Sequence, residues 1–184
     1  MRFSWSPNTT AIKNPKIKIP LPDNVQKAEK LIRGIGFSRQ VDEFELSMNR
    51  AAERAAPKAK TIFWEAIKNM TFTDARSILS GPDDAATSYF RQKTSPQLQS
   101  AFEPIINQAM SEVGVTRTYQ NIEQKIESLP FIGSQSLDLD EYVTGKALDG
   151  LFLMLADEEK KIRQDPAAQV TDLLKKVFGS QSSR

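Results

Sequence analysis

Cysteine and histidine are both missing from the 184 residues. Without cysteine there are no disulfide frameworks, thiol nucleophiles or thiolate zinc sites. Without histidine the Ser-His-Asp triad, histidine-ligated haem and di-iron sites built on Glu-x-x-His are excluded as well. Only oxygen-ligand metal sites remain. "DLDEY" at 138–142 is too short for a calcium loop and lacks its glycine and closing glutamate. There is no phosphate-cradling loop, and "RGIGF" at 33–37 is not the dinucleotide fingerprint. No cofactor and no metal are therefore expected. The lack of cysteine fits every redox compartment and locates nothing.

Long apolar runs are missing too. Nothing approaches 18 uninterrupted apolar residues, and "MRFSWSPNTT" lacks the apolar centre of a signal peptide. The expectation is a soluble chain with no transmembrane segment and no export signal of its own. The net charge is only +2, but it is unevenly spread. Residues 1–60 carry 12 Lys/Arg against 6 Asp/Glu (+6), and the remainder carries 13 against 17 (−4). That asymmetry fits a basic surface or a segment docking on its own chain better than a nucleic-acid binder.

With 39% apolar and 26% charged residues the chain falls in the globular range, and its length suits one domain. Residues 1–22 read as an extended N-terminal arm, because "NPKIKIPLP" is fenced by Pro15, Pro20 and Pro22. Ile17, Ile19 and Leu21 then fall on one side, able to pin the arm to the body. Residues 23–179 read as a single helical domain and 180–184 as a disordered tail.

Within that domain the apolar spacing is helical nearly throughout. Helices are expected over 23–33, closed by Gly34 and Gly36; from a Ser38 cap through Val41, Phe44, Met48, Ala51 and Ala55; and from Pro57 to Met70, with Ile62, Phe63, Ala66 and Ile67 inward. Thr71 and Asp74 form a capping-box pattern opening a short helix to "SGP". Asp83 is expected to cap a helix to Lys93, and Ser95-Pro96 to start another reaching Val113, bent at Pro104. Further helices are expected over 116–129, 138–164 and from Asp165-Pro166 to Gly179. The predicted fold is all-α: a compact, irregular bundle of about seven to nine helices with an extended N-terminal arm.

Candidate sites follow from polar groups beside apolar stripes. Glu45 and Asn49 lie one turn apart next to the stripe of their helix, with Arg50 following, where they can border a groove. A plain boundary between surface and core explains them equally simply. "SYFRQKT" at 88–94 places Arg91 among aromatics, which suits an anion or a stacked ring, or a basic helix end over core aromatics. Carboxylates at Asp83-Asp84, 138–141 and 157–159 are close enough to consider for acid-base work, yet dipole and i,i+4 pairing account for each. Glu158 shares a face with Ile162, which suggests partial burial. The candidate groove or ligand-binding residues are Glu45, Asn49, Arg50, Asp84, Arg91 and Glu158, with no catalytic residue assigned.

Six segments carry a family likeness: "NPKIKIPLP", "VDEFELSMNRAAERAAPKAK", "NMTFTDARSILSG", "DDAATSYFRQKT", "YVTGKALDGLFLMLADEEKKIRQDPAA" and "TDLLKKVFG". In this order, across residues 14–179, the chain resembles the bacterial domain-of-unknown-function 4197 family. The resemblance implies an all-helical fold and marks Glu43, Glu45, Asn49, Arg50, Asp74, Asp84, Arg91, Thr94, Asp149, Glu158 and Glu159. It supplies no activity, cofactor or role for them. It also implies an exported, cell-envelope or periplasmic setting, from which this chain departs because only "MRFSWSPNTTAIK" precedes the "NP" motif.

Three functions are weighed. The first is a non-enzymatic helical binding or scaffold domain presenting a groove to a protein or cell-envelope component. The second is a carrier of a lipid or other apolar small molecule, with Phe44, Met48, Phe152 and Met154 as lining. The third is a carboxylate-based hydrolase using Glu45, Asp84 or Glu158. The lack of nucleophile, metal and phosphate constellations beside ample amphipathic helix favours the first.

Overall fold

The computed structural model describes residues 14–112 and 138–164, together with Gln120, Asn121 and Gln124. Among the described residues there is no strand. Six α-helices are found there: α1 (Asp23–Ile32), α2 (Ser38–Ala55), α3 (Ala59–Lys68), α4 (Phe72–Ser80), α5 (Ala85–Glu112) and α6 (Leu139–Gln164). The expectation of seven to nine helices is thus corrected downward. The helices expected over 116–129 and after Asp165 lie outside the described residues, apart from Gln120, Asn121 and Gln124, which are helical.

Within the described residues, one reason for the lower count is the Ser95-Pro96 step. A proline there was expected to separate two helices, but α5 runs through both Pro96 and Pro104. The Thr94 hydroxyl donates to the Phe90 carbonyl at 2.6 Å and the Ser95 hydroxyl to the Arg91 carbonyl at 2.6 Å. Side-chain donors thus serve the turn where the proline ring removes one. The buried stripe Thr87, Thr94, Leu98, Phe102, Ile106, Ala109 and Met110 continues across the prolines, and tertiary packing decides the outcome.

The extended N-terminal arm is likewise corrected. Residues 14–22 begin with a turn at 15–17, in which the amides of Ile17 and Lys18 both donate to the Asn14 carbonyl at 3.1 Å. Ile17, Ile19 and Leu21 are buried, so the segment is a packed part of the body and not an extended strand. Gly150 on α6 permits this closeness: a Cβ there would lie 3.3 Å from the Cβ of Ile17.

Between α1 and α2 the chain takes a wide turn over Arg33–Phe37, with Gly36 at φ 96°, a conformation that costs glycine little. Ser38 does not cap α2; Phe37 precedes the helix, and the Ser38 hydroxyl donates to the Arg33 carbonyl instead. Arg33 ties the corner, pairing with Glu29 and Asp42 at 2.8 Å each.

The core is one contiguous cluster built where α5 packs along α2 and α6. Phe44, Phe102 and Phe152, one from each helix, are fully buried at its centre, with Met48, Leu98, Ile106 and Met110 around them. Each such side chain contributes about 1.5–3 kcal/mol by leaving water. α3 lies on α5 through Ala59 and Phe63, whose ring is 5.1 Å from Phe90 and 6.1 Å from Phe152. Ile67, expected inward, is 42% exposed because the packed side of α3 is narrow.

Candidate functional site

Glu45 and Asn49 do come together on α2, and the leading segment fills the space beside them. Asn49 is only 1% exposed. Its Oδ1 accepts the Ile19 amide at 2.8 Å, and its Nδ2 donates to the carbonyls of Ile19 (3.0 Å) and Glu45 (2.8 Å). The side-chain amide thus pairs with a backbone residue as a neighbouring strand would, satisfying groups that are costly to bury alone. Glu45 forms an ion pair with Lys18 at 2.9 Å, Lys16 with Asp157 at 2.8 Å, and the Tyr142 hydroxyl donates to the Pro20 carbonyl at 3.1 Å. Burial raises the Tyr142 hydroxyl above its ordinary value, with Asp23 adding to the effect.

The other four sequence candidates are dispersed. Arg50 is exposed on α2, and Asp84 is exposed just before α5, its carbonyl accepting from Ser88. Arg91 places its guanidinium 4.5 Å from the Phe152 ring centre and 3.5 Å from Asp149. Glu158, expected to be partly buried, is exposed and paired with Lys161 at 2.6 Å.

The buried acid of α6 is its neighbour, Glu159, 8% exposed. Its carboxylate accepts from the amides of Ala86 (2.8 Å) and Thr87 (2.7 Å) and from the Thr87 hydroxyl (2.8 Å). Arg163 completes the shell from Nε (3.1 Å) and Nη2 (2.8 Å). Glu159 therefore caps the start of α5 from another helix, the role expected of Asp83. Burial acts to raise its carboxyl, but the two amides, Arg163 and the Thr87 hydroxyl outweigh burial and hold it below the ordinary value. Arg163 Nη2 also donates to the Ile78 carbonyl at 2.8 Å, fastening the end of α4. The sequence signal for Glu159 was its place seven residues after buried Phe152, on the same helical face; "DEEKK" read as a solvated charge run concealed it.

Two hollows are open to a ligand among the described residues. One, under the leading segment and lined by Ile17, Phe102, Gly150 and Met154, has about 30 Å³, room for roughly one water. The other is a shallow depression on α6 beside Asp138, Glu141, Tyr142 and Asp149. No group of three or more acids is placed to hold a metal ion among the described residues.

The outer sides of α3 and α4 are different in character. α4 buries none of its residues: Phe72 is 97% and Leu79 81% exposed. Seven residues apart, they share one face, with Arg76 between them. The helix is held by its ends. At its start the Thr71 hydroxyl accepts the Asp74 amide at 3.1 Å, while Asp74 Oδ2 accepts the Thr71 amide at 3.0 Å. The hydrogen bonds from Thr71 hold the Asp74 carboxyl below its ordinary value. On α3, Trp64 is 59% exposed and Ile67 follows on the same side. Sequence reading had found the capping box but not the outward apolar residues, since periodicity alone does not tell which face meets a neighbour.

No curated protein and no solved structure matches the chain. The family described as Protein of unknown function (DUF4197) matches over residues 6–179, and the chain belongs to that family.

Proposed function

We propose that the protein is a non-catalytic helical binding domain and that its working surface is the outer side of α3 and α4. The observation that carries this reading is a helix with no buried residue, capped at both ends, whose large apolar side chains Phe72 and Leu79 face outward. Large apolar groups exposed together mark interaction surfaces, whereas isolated ones are ordinary. Glu45 and Asn49 take a supporting role in this reading: they hold the leading segment against α2.

The carrier and hydrolase readings have less to rest on. A cavity of about 30 Å³ is far below the roughly 300–1,000 Å³ of small-molecule sites. Glu45 and Glu158 are each engaged by a separate lysine on different helices. The test is fractionation of gently lysed host cells. The wild-type chain should travel with a larger assembly or a particulate fraction, and a Phe72→Ser, Leu79→Ser double variant should be released as the 20.6 kDa chain. Identical distributions of the two proteins would overturn the reading.

A further inference from the structure

We propose, resting on that reading, that the occupant of the α3–α4 surface is the headgroup region of an anionic lipid bilayer. The argument is one of charge complementarity around the apolar groups. On α3, Lys60 and Lys68 stand one turn before and after Trp64, and both are exposed. On α4, exposed Arg76 stands between Phe72 and Leu79 on their face. The acids nearby are already engaged: Glu65 pairs with Lys68 at 2.6 Å, and Asp74 is turned to the Thr71 cap.

An aromatic and aliphatic face flanked by cations is the chemistry of a helix lying in a bilayer interface. Tryptophan and phenylalanine enter the headgroup boundary while lysine and arginine reach anionic phosphates. A protein partner fits these residues less well. Protein interfaces favour aromatics and arginine but are depleted in lysine, and two of the three cations here are lysine. Among the described residues no helix is long and apolar enough to cross a membrane, so the contact is peripheral.

The test uses the full chain with phosphatidylcholine vesicles, with and without 30 mol% phosphatidylglycerol, in a flotation assay. The wild type should float with the anionic vesicles and be released by high salt, because charge attraction beyond about 10 Å is screened at 0.1 M. In a Trp5→Phe background, Trp64 emission should shift to the blue and be quenched by brominated lipid. Phe72→Ser with Leu79→Ser should weaken binding on the order of 10-fold or more. Each of Lys60→Gln, Lys68→Gln and Arg76→Gln should weaken it about five-fold. Because α4 buries no side chain, these variants should keep the wild-type circular dichroism; the salt release and Trp64 quenching test the proposal on the unaltered surface in any case.

Equal binding to both vesicle types, unquenched Trp64, or flotation unaffected by the double variant would each overturn the bilayer proposal. No flotation, combined with loss of a larger assembly by the double variant in host extract, would overturn it in favour of a protein occupant while the binding reading stands. No flotation and no change in extract would overturn both.

Discussion

Replacing Glu159 by glutamine tests how much of the fold hangs on one buried carboxylate. The perturbation is nearly isosteric but removes the charge and replaces one acceptor oxygen with a donor. Five hydrogen bonds converge on the carboxylate, two from backbone amides, one from the Thr87 hydroxyl and two from Arg163. If the glutamine oxygen faces Thr87, its NH₂ meets the Ala86 amide and Arg163, which are donors. If it is turned the other way, the NH₂ meets the Thr87 amide. In either orientation one backbone amide loses its acceptor, which costs about 1–3 kcal/mol, and the charge-assisted bonds to Arg163 weaken. The expected loss is about 2–4 kcal/mol, a large part of the roughly 5–15 kcal/mol that stabilises a typical domain. At about 2–4 °C per kcal/mol for a chain of this size, Tm should fall on the order of 10 °C. The pH dependence adds a second check. The folded carboxyl lies below its unfolded value of 4.5, so its stabilisation is present above about that pH and is lost as pH falls through the lowered folded value. Glu159→Gln should lack that part of the acid loss. Urea unfolding at pH 7 and at successively lower pH measures both effects. A variant within about 0.5 kcal/mol of wild type at pH 7, or one with the same acid slope, would refute the assignment of Glu159 as the cap of α5.

Asn49→Ala should orphan the amide and carbonyl of Ile19, costing about 2–4 kcal/mol, with faster hydrogen exchange at the Ile19 amide as the specific readout. Asn49→Asp should cost more at neutral pH, because a carboxylate would face the carbonyls of Ile19 and Glu45. Phe102→Ala, at the meeting of the three long helices, should lose about 3–5 kcal/mol in chemical denaturation. Thr71→Ala should remove about 1 kcal/mol from α4, visible as faster exchange of the Asp74 amide with little change in the melting of the core.

The helical class and the core stripe of α2 were legible because Val41, Phe44, Met48, Ala51 and Ala55 follow the 3.6-residue period without interruption. The Thr71–Asp74 capping box was legible because its partners are three residues apart. What escaped sequence reading depends on groups far apart in the chain. Pro96 reads locally as a start of helix, yet the stripe from Thr87 to Met110 is fixed by α2 and α6. Asn49 reads as a border residue because its partner, Ile19, lies 30 positions away. Glu159 is 72 positions from Thr87, and no periodicity on α6 encodes the free amides of α5. The leading segment alternates as a strand would, but it is held by a side-chain amide and not by a sheet, so alternation identified its buried residues without identifying its conformation.

These long-range contacts bear on what α4 is for. A helix of nine residues is too short to persist alone in water and ordinarily depends on a buried apolar face. α4 has no buried side chain; its fixed points are the Thr71–Asp74 box at one end and the Arg163 hydrogen bond to Ile78 at the other. Arg163 is itself held by Glu159, which is committed to α5, so the end of α4 is tied to the core through two polar links. Polar fastening at the ends leaves Phe72 and Leu79 outside the core cluster. On this argument Arg163→Ala should loosen α4 while preserving its outward residues. If the apolar face works only as a rigid surface, binding should then weaken although Phe72, Arg76 and Leu79 are all intact. Undiminished binding with a loosened α4, read by hydrogen exchange at its amides, would mean that the side chains suffice and the polar fastening serves stability alone.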